Sequence, residues 1–168
     1  MTPDVMAAAT AAVRADRIVL TAAGEPGPNG VIGTLLLRVL RVAALALGHD
    51  GKEGSAACCE HFARFAVHGG FATERGFTWN RPTIHLLGAR SMPELLAAAS
   101  AEGALVALFT QPDAGSGIDL WLYEATGTPI TETNGLNELR ARLATGRPAL
   151  PVNSEAVGII IDRQKEYQ

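Results

Sequence analysis

The sequence predicts an α+β (or α/β) protein, with a helical N-terminal half packed on a small mixed β-sheet contributed by the C-terminal half. Three observations carry this. Before residue 70 the apolar residues fall in Ala- and Leu-rich runs of helical length. After residue 83 they fall in short runs, some continuous and some alternating, bounded by Gly, Pro and Asp. Between two of those short runs, Ser91-Met-Pro-Glu94 spells a capping box that starts a helix. No stretch is rich enough in Ser, Gly or charge to act as a linker, so 1–168 reads as a single globular domain.

Each element has a local reason. Thr2 before Pro3 and Asp4 supplies a cap, a residue suited to the first turn and a dipole-complementing acid, and the Ala-rich run to about residue 16 should be helical. Residues 17–23, with Ile18, Val19 and Leu20, fit either a short strand or the last turns of that helix. Residues 24–33 read as a breaker, with Pro26 and Pro28 stopping any helix. The apolar run 31–47 has helical length, and its polar positions Thr34, Arg38 and Arg41 fall at i, i+4, i+7 on one stripe. A central buried helix is expected there. A polar turn at 48–54 leads to a helix capped by Ser55 and ending at Gly69-Gly70.

In the second half, 83–87 reads as a short strand, 92–101 as the helix capped by Ser91, and 104–110 as a continuous apolar strand suited to a sheet centre. Residues 118–124 alternate, with Ile118, Leu120 and Leu122 on one face and Asp119, Trp121 and Tyr123 on the other. Residues 134–144 place Leu136, Leu139 and Leu143 on one helix face, and 157–161 reads as a last strand. The expected core comprises Leu36, Leu37, Leu40, Phe62, Phe65, Leu96, Val106, Leu108, Leu120 and Leu122.

Charge and composition narrow the function classes. Fourteen Lys and Arg against 17 Asp and Glu give a net charge of −3, which argues against nucleic-acid binding and against a polybasic membrane attachment. The most apolar segment carries Arg38 and Arg41 near its middle, which argues against a membrane span. The first residues lack a basic region, so no secretory signal is read and the expected setting is the reducing cytoplasm. Two adjacent cysteines cannot build a disulfide framework. The preference for Arg over Lys reads as the coding bias of a GC-rich, bacterial-type genome.

Four groups of residues bear on chemistry. Cys58 and Cys59 sit in the first turns of a helix, where the dipole favours thiolate, and an aromatic-rich helix after a cysteine is also how papain-like thiol enzymes begin. A hydrolase or transferase of that kind would use Cys59 or Cys58 as nucleophile, His85 as base and Asp119 (or Asn80) as orienting group. Against it, Cys58, Phe62 and Phe65 fall at i, i+4, i+7, the stripe a helix buries. Of the two thiols, Cys59 is the one expected to reach a cleft. Glu60, His61 and His68 on the same helix read as a solvated face, so no metal is expected.

The remaining groups concern binding. Backbone amides of the glycine loop, at Gly27 and Gly30, together with Arg38 and Arg41, could hold a small anionic ligand. The loop matches neither the P-loop nor the dinucleotide pattern, and no cofactor is expected. Trp121 and Tyr123 form an aromatic face suited to a protein interface. With 48% hydrophobic residues and few converging polar groups, the leading expectation is a non-catalytic binding or assembly module. It would act through protein contacts, with a homo-oligomer as one form. The thiol enzyme is the alternative, so whether the protein is an enzyme stays open; the anion binder is the second alternative.

Overall fold

A computed structural model describes residues 3–22, 27–72, 78–147 and 156–167. Its elements in chain order are α1 (Pro3–Ala12), β1 (Ile18–Thr21), α2 (Pro28–Leu40), β2 (Ala44–His49), α3 (Glu53–Ala66) and β3 (Phe71–Ala72). They continue with β4 (Trp79–Asn80), β5 (Thr83–Ala89), α4 (Met92–Glu102), β6 (Leu105–Thr110), β7 (Gly117–Tyr123), α5 (Leu136–Ala144) and β8 (Ile159–Asp162). A 3-10 turn, Gln164–Tyr167, follows. Six strands form one sheet in the order β1-β7-β6-β2-β5-β8, and β3 pairs with β4 apart from it. β6, β2, β5 and β8 run parallel, while β7 and β1 add an antiparallel margin. This is the α+β class the sequence predicts.

The two faces are covered unequally. Met6 and Ala9 of α1, Leu36 and Leu37 of α2, Phe62 and Ala63 of α3 and Leu139 of α5 pack on Leu45, Ile84, Phe109 and Leu120, forming the larger core. The rings of Phe62 and Phe109 meet edge-to-face at 5.4 Å between centroids. The other face carries α4, with Leu95 and Ala99 on Ala46, Leu87 and Val106. Strand alternation sends consecutive residues to opposite faces, so Ile84 joins the first core and Leu87 the second. The alternation expected in β7 holds: Ile118, Leu120 and Leu122 are buried in the larger core.

Several elements differ from the sequence expectation. The run 31–47 is not one helix: α2 ends at Leu40 and β2 begins at Ala44. Arg41 turns the chain with a left-handed φ of 57°, its N–H bonding the Leu37 carbonyl. A continuous apolar run satisfies a buried helix and a central parallel strand equally, and no Gly or Pro marks this boundary. Helix α2 starts at Pro28, so Gly30 and Gly33 are helical rather than part of a loop. A side chain at either would press on Phe65, which explains the small residues there as close packing of α2 on α3. Helix α3 begins at Glu53 after Lys52, and Ser55 lies fully buried within it instead of capping it. The ambiguous 17–23 segment contains strand β1. Thr2 and residues 23–26 lie outside the described residues.

Of the expected core, Leu36, Leu37, Phe62, Val106, Leu120 and Leu122 are buried, while Leu40, Phe65, Leu96 and Leu108 are partly covered. The Ser91 capping box is formed: its hydroxyl accepts from Glu94 N–H at 3.4 Å and its own N–H donates to Glu94 Oε1 at 3.0 Å.

Candidate functional site

The α3 side chains settle the geometry around the thiols. Cys58 and Cys59 are both buried in the larger core, at 4% and 2% exposure. Cys59 therefore does not reach a cleft. Burial pushes the Cys58 thiol up to about 11 and the Cys59 thiol higher still, because an apolar surround disfavours thiolate. The helix dipole that would favour thiolate does not outweigh this loss of solvation.

His85 lies on β5, opposite Ala46 of β2. Ala46 faces α4, and the flanking Ile84 and Leu86 face α3. The His85 imidazole is buried on the α4 side of the sheet, and the thiols are on the other side. Asp119 on β7 accepts a bond from Arg17 Nε at 3.1 Å. β6 and β2 separate β7 from β5, so Asp119 and His85 are at least about 14 Å apart, three strand spacings, and are offset along the strands as well. Asn80 pairs with Phe71 in the small β3-β4 ladder. The fold does not bring the thiol, imidazole and carboxylate together.

The anion set is dispersed in the same way. Gly27 and Arg38 stand near opposite ends of α2, roughly 16 Å apart along its axis. Arg38 Nη2 donates to the His68 carbonyl at 2.7 Å, and burial followed by the charge of Arg142 lowers its pKa. Arg41 lies over the Phe71 ring at 4.4 Å. Both arginines tie α2 to the segment after α3. Among the described residues no group of three or more His, Cys, Asp and Glu side chains could hold a metal ion. No described helix is long and apolar enough to cross a membrane.

The aromatic pair is more occupied than its sequence suggests. Trp121 donates its ring N–H to Thr110 Oγ1 at 2.9 Å, with Arg17 over the ring at 5.5 Å. Tyr123 packs against the α4 core. Both are partly covered.

Two features stand out that sequence reading did not single out. The first lies where the parallel strands β2, β5 and β6 end. The Asp50 carboxylate accepts from Lys52 N–H at 3.0 Å and Gln111 N–H at 2.8 Å, joining the loops after β2 and β6. Lys52 Nζ reaches the Gln111 carbonyl at 2.8 Å and Asp113 at 3.0 Å. Arg90, after β5, bonds through its backbone N–H to the His49 carbonyl. Partial burial would raise the Asp50 pKa, but the two N–H donors outweigh it and bring the value below the ordinary carboxylate range. The buried Ser55 hydroxyl adds to that effect without making a bond of good geometry. Burial lowers the His49 pKa, against the pull of Asp50 and Glu60.

The second feature is the β8 margin. Its four residues are all exposed, with Ile159 at 52%, Ile160 at 40% and Ile161 at 37%. Among the described residues no strand pairs with its outer side. The sequence reading found this strand. It could not find the exposure, because three successive isoleucines look like a buried strand until the strand order is known.

No protein-family model matches the chain, and no curated protein matches it. Among solved structures the chain is similar to a phosphoglucomutase/phosphomannomutase family protein from Burkholderia thailandensis. The TM-score is 0.59 at 12% identity, over 94% of this chain and 34% of that one. The chain thus spans about a third of the length of that structure's chain, and the likeness is one of fold.

Proposed function

We propose that the protein is a non-catalytic binding or assembly module that docks a protein partner along β8. The observation that carries this is the open margin itself: exposed isoleucines on both faces of an edge strand. An unpaired edge offers main-chain donors and acceptors to an incoming strand, and exposed apolar side chains add the burial that makes pairing favourable. Parallel sheets normally have both faces covered, whereas all four residues of β8 are exposed. The reading places the protein in a reducing cytosol, where Cys58 and Cys59 stay free, and gives it no nucleic-acid partner, membrane or cofactor. A photo-crosslinker at position 160, compared with one at the exposed Ser100, tests it. A saturable adduct at 160, competed away by unmodified protein, is expected. Equal, uncompeted labelling at both positions would sink the reading.

A second reading rests on the loops joined by Asp50. The crevice outside the carboxyl ends of parallel strands is where open α/β sheets bind ligands. Lys52, paired with Asp113, and Arg90, bonded to the Ala89 and Gln164 carbonyls, stand there, and the similar structure, a phosphoglucomutase/phosphomannomutase family protein, suggests a phosphorylated hexose. A native-state ligand raises the melting temperature by mass action. No shift with millimolar glucose phosphates would remove this reading.

A further inference from the structure

Resting on the β8 reading above, we infer that the occupant of this margin is a second copy of the chain, paired antiparallel about Ile161 to continue the sheet across a twofold axis. The main-chain pattern of β8 carries the inference. Ile159 N–H bonds to the Pro82 carbonyl and Arg163 N–H to the Leu86 carbonyl, both on the β5 side. Alternation then turns the N–H and C=O groups of Ile160 and Asp162 outward. In an antiparallel pair, residues that exchange both bonds recur every second position, the spacing of these two. Pairing about Ile161 sets Ile160 opposite the partner's Asp162, and Asp162 opposite the partner's Ile160. Four main-chain bonds form, and both outward pairs are satisfied in each copy.

The side chains suit the same register. Ile161 meets the partner's Ile161 at the non-bonded position, where cross-strand side chains come closest. Ile159 meets the stem of the partner's Arg163, whose methylenes can cover it. A slip by two residues to centre on Asp162 would set the two Asp162 carboxylates against each other, and like charges directly opposite are unfavourable. All four residues of β8 are exposed, so a second sheet margin can approach. A four-residue strand used twice gives a small contact, of the class found in weak or transient complexes.

Sedimentation equilibrium from 1 to 200 µM tests this on the whole chain and on two variants, with circular dichroism as a check of folding. Ile160→Pro removes an outward N–H that bonds nothing in β5, a position edge strands tolerate. Ile161→Lys places a charge at the centre of the pair. The wild-type mass should rise from 17.6 kDa toward twice that value, and each variant should weaken association at least tenfold. A wild type that stays at 17.6 kDa throughout overturns the inference. If position 160 then crosslinks a different protein, the docking reading stands with a foreign strand as occupant. A dimer unchanged in both folded variants overturns β8 self-pairing, and an absence of competed crosslinks at 160 overturns the docking reading with it.

Discussion

His85 and Cys58 lie on opposite faces of one sheet: His85 stands beside Ala46 under α4, and Cys58 packs with Phe62 under the larger helical layer. A proton cannot pass directly between groups separated by the sheet, so the two act independently. The buried thiols fill the core.

That role has two measurable consequences. Iodoacetamide should label neither Cys58 nor Cys59 in the native protein and both after denaturation. The raised thiol values also set a pH dependence with a definite sign. The neutral thiol is favoured in the folded state, so its contribution is fully present below the unfolded value of 9.0 and is lost as pH rises toward about 11 at Cys58. Unfolding free energy measured from pH 8 to 11 should fall, and Cys58→Ala should flatten that fall. A rise, or a slope unchanged in the variant, would contradict it.

Burial on α2 separates two neighbouring leucines. Leu36 is fully buried and Leu40 is partly covered. Leu36→Ala should cost about 2–5 kcal/mol, and Leu40→Ala less, about 1–2 kcal/mol. Urea midpoints compared at equal slope check the order. Equal losses would mean that α2 sits differently on the sheet.

How much of this was legible beforehand differed from element to element. The β7 alternation and the Ser91 capping box each pair a local pattern with one structural answer, and both formed as read. The 31–47 run did not, because apolarity without period leaves helix and strand equally satisfied, and Arg41 is an unmarked residue at a left-handed turn. The site residues were the least legible. Whether Cys58 can meet His85 is a question of sheet faces, and whether Ile160 is buried is a question of strand order. Neither property exists in one dimension.

The capping box gives a direct test of local stabilisation. Ser91→Ala removes the hydroxyl that accepts the Glu94 N–H, and should lower stability by about 1 kcal/mol. An unchanged denaturation midpoint would show that α4 does not depend on this cap.

The joint between the β2 and β6 loops should show in acid. With the folded Asp50 value depressed, its contribution is present above the ordinary unfolded carboxylate value and is lost as pH falls through the folded one. Asp50→Ala should cost about 1 kcal/mol at neutral pH, solvent screening keeping the figure small, and should shrink the stability lost between pH 5 and 2. An acid limb identical to wild type would mean that the Gln111 and Lys52 bonds do not form in solution.

Amide hydrogen exchange along β8, read residue by residue at low and high protein concentration, tests the central claim most directly. With β8 as the docking margin and a second copy as its occupant, the Ile160 and Asp162 amides should exchange freely when dilute. They should slow at least tenfold when concentrated, while Ile159, bonded to Pro82, stays constant. Ile160 and Asp162 amides that exchange at the unprotected rate at every concentration would contradict the account.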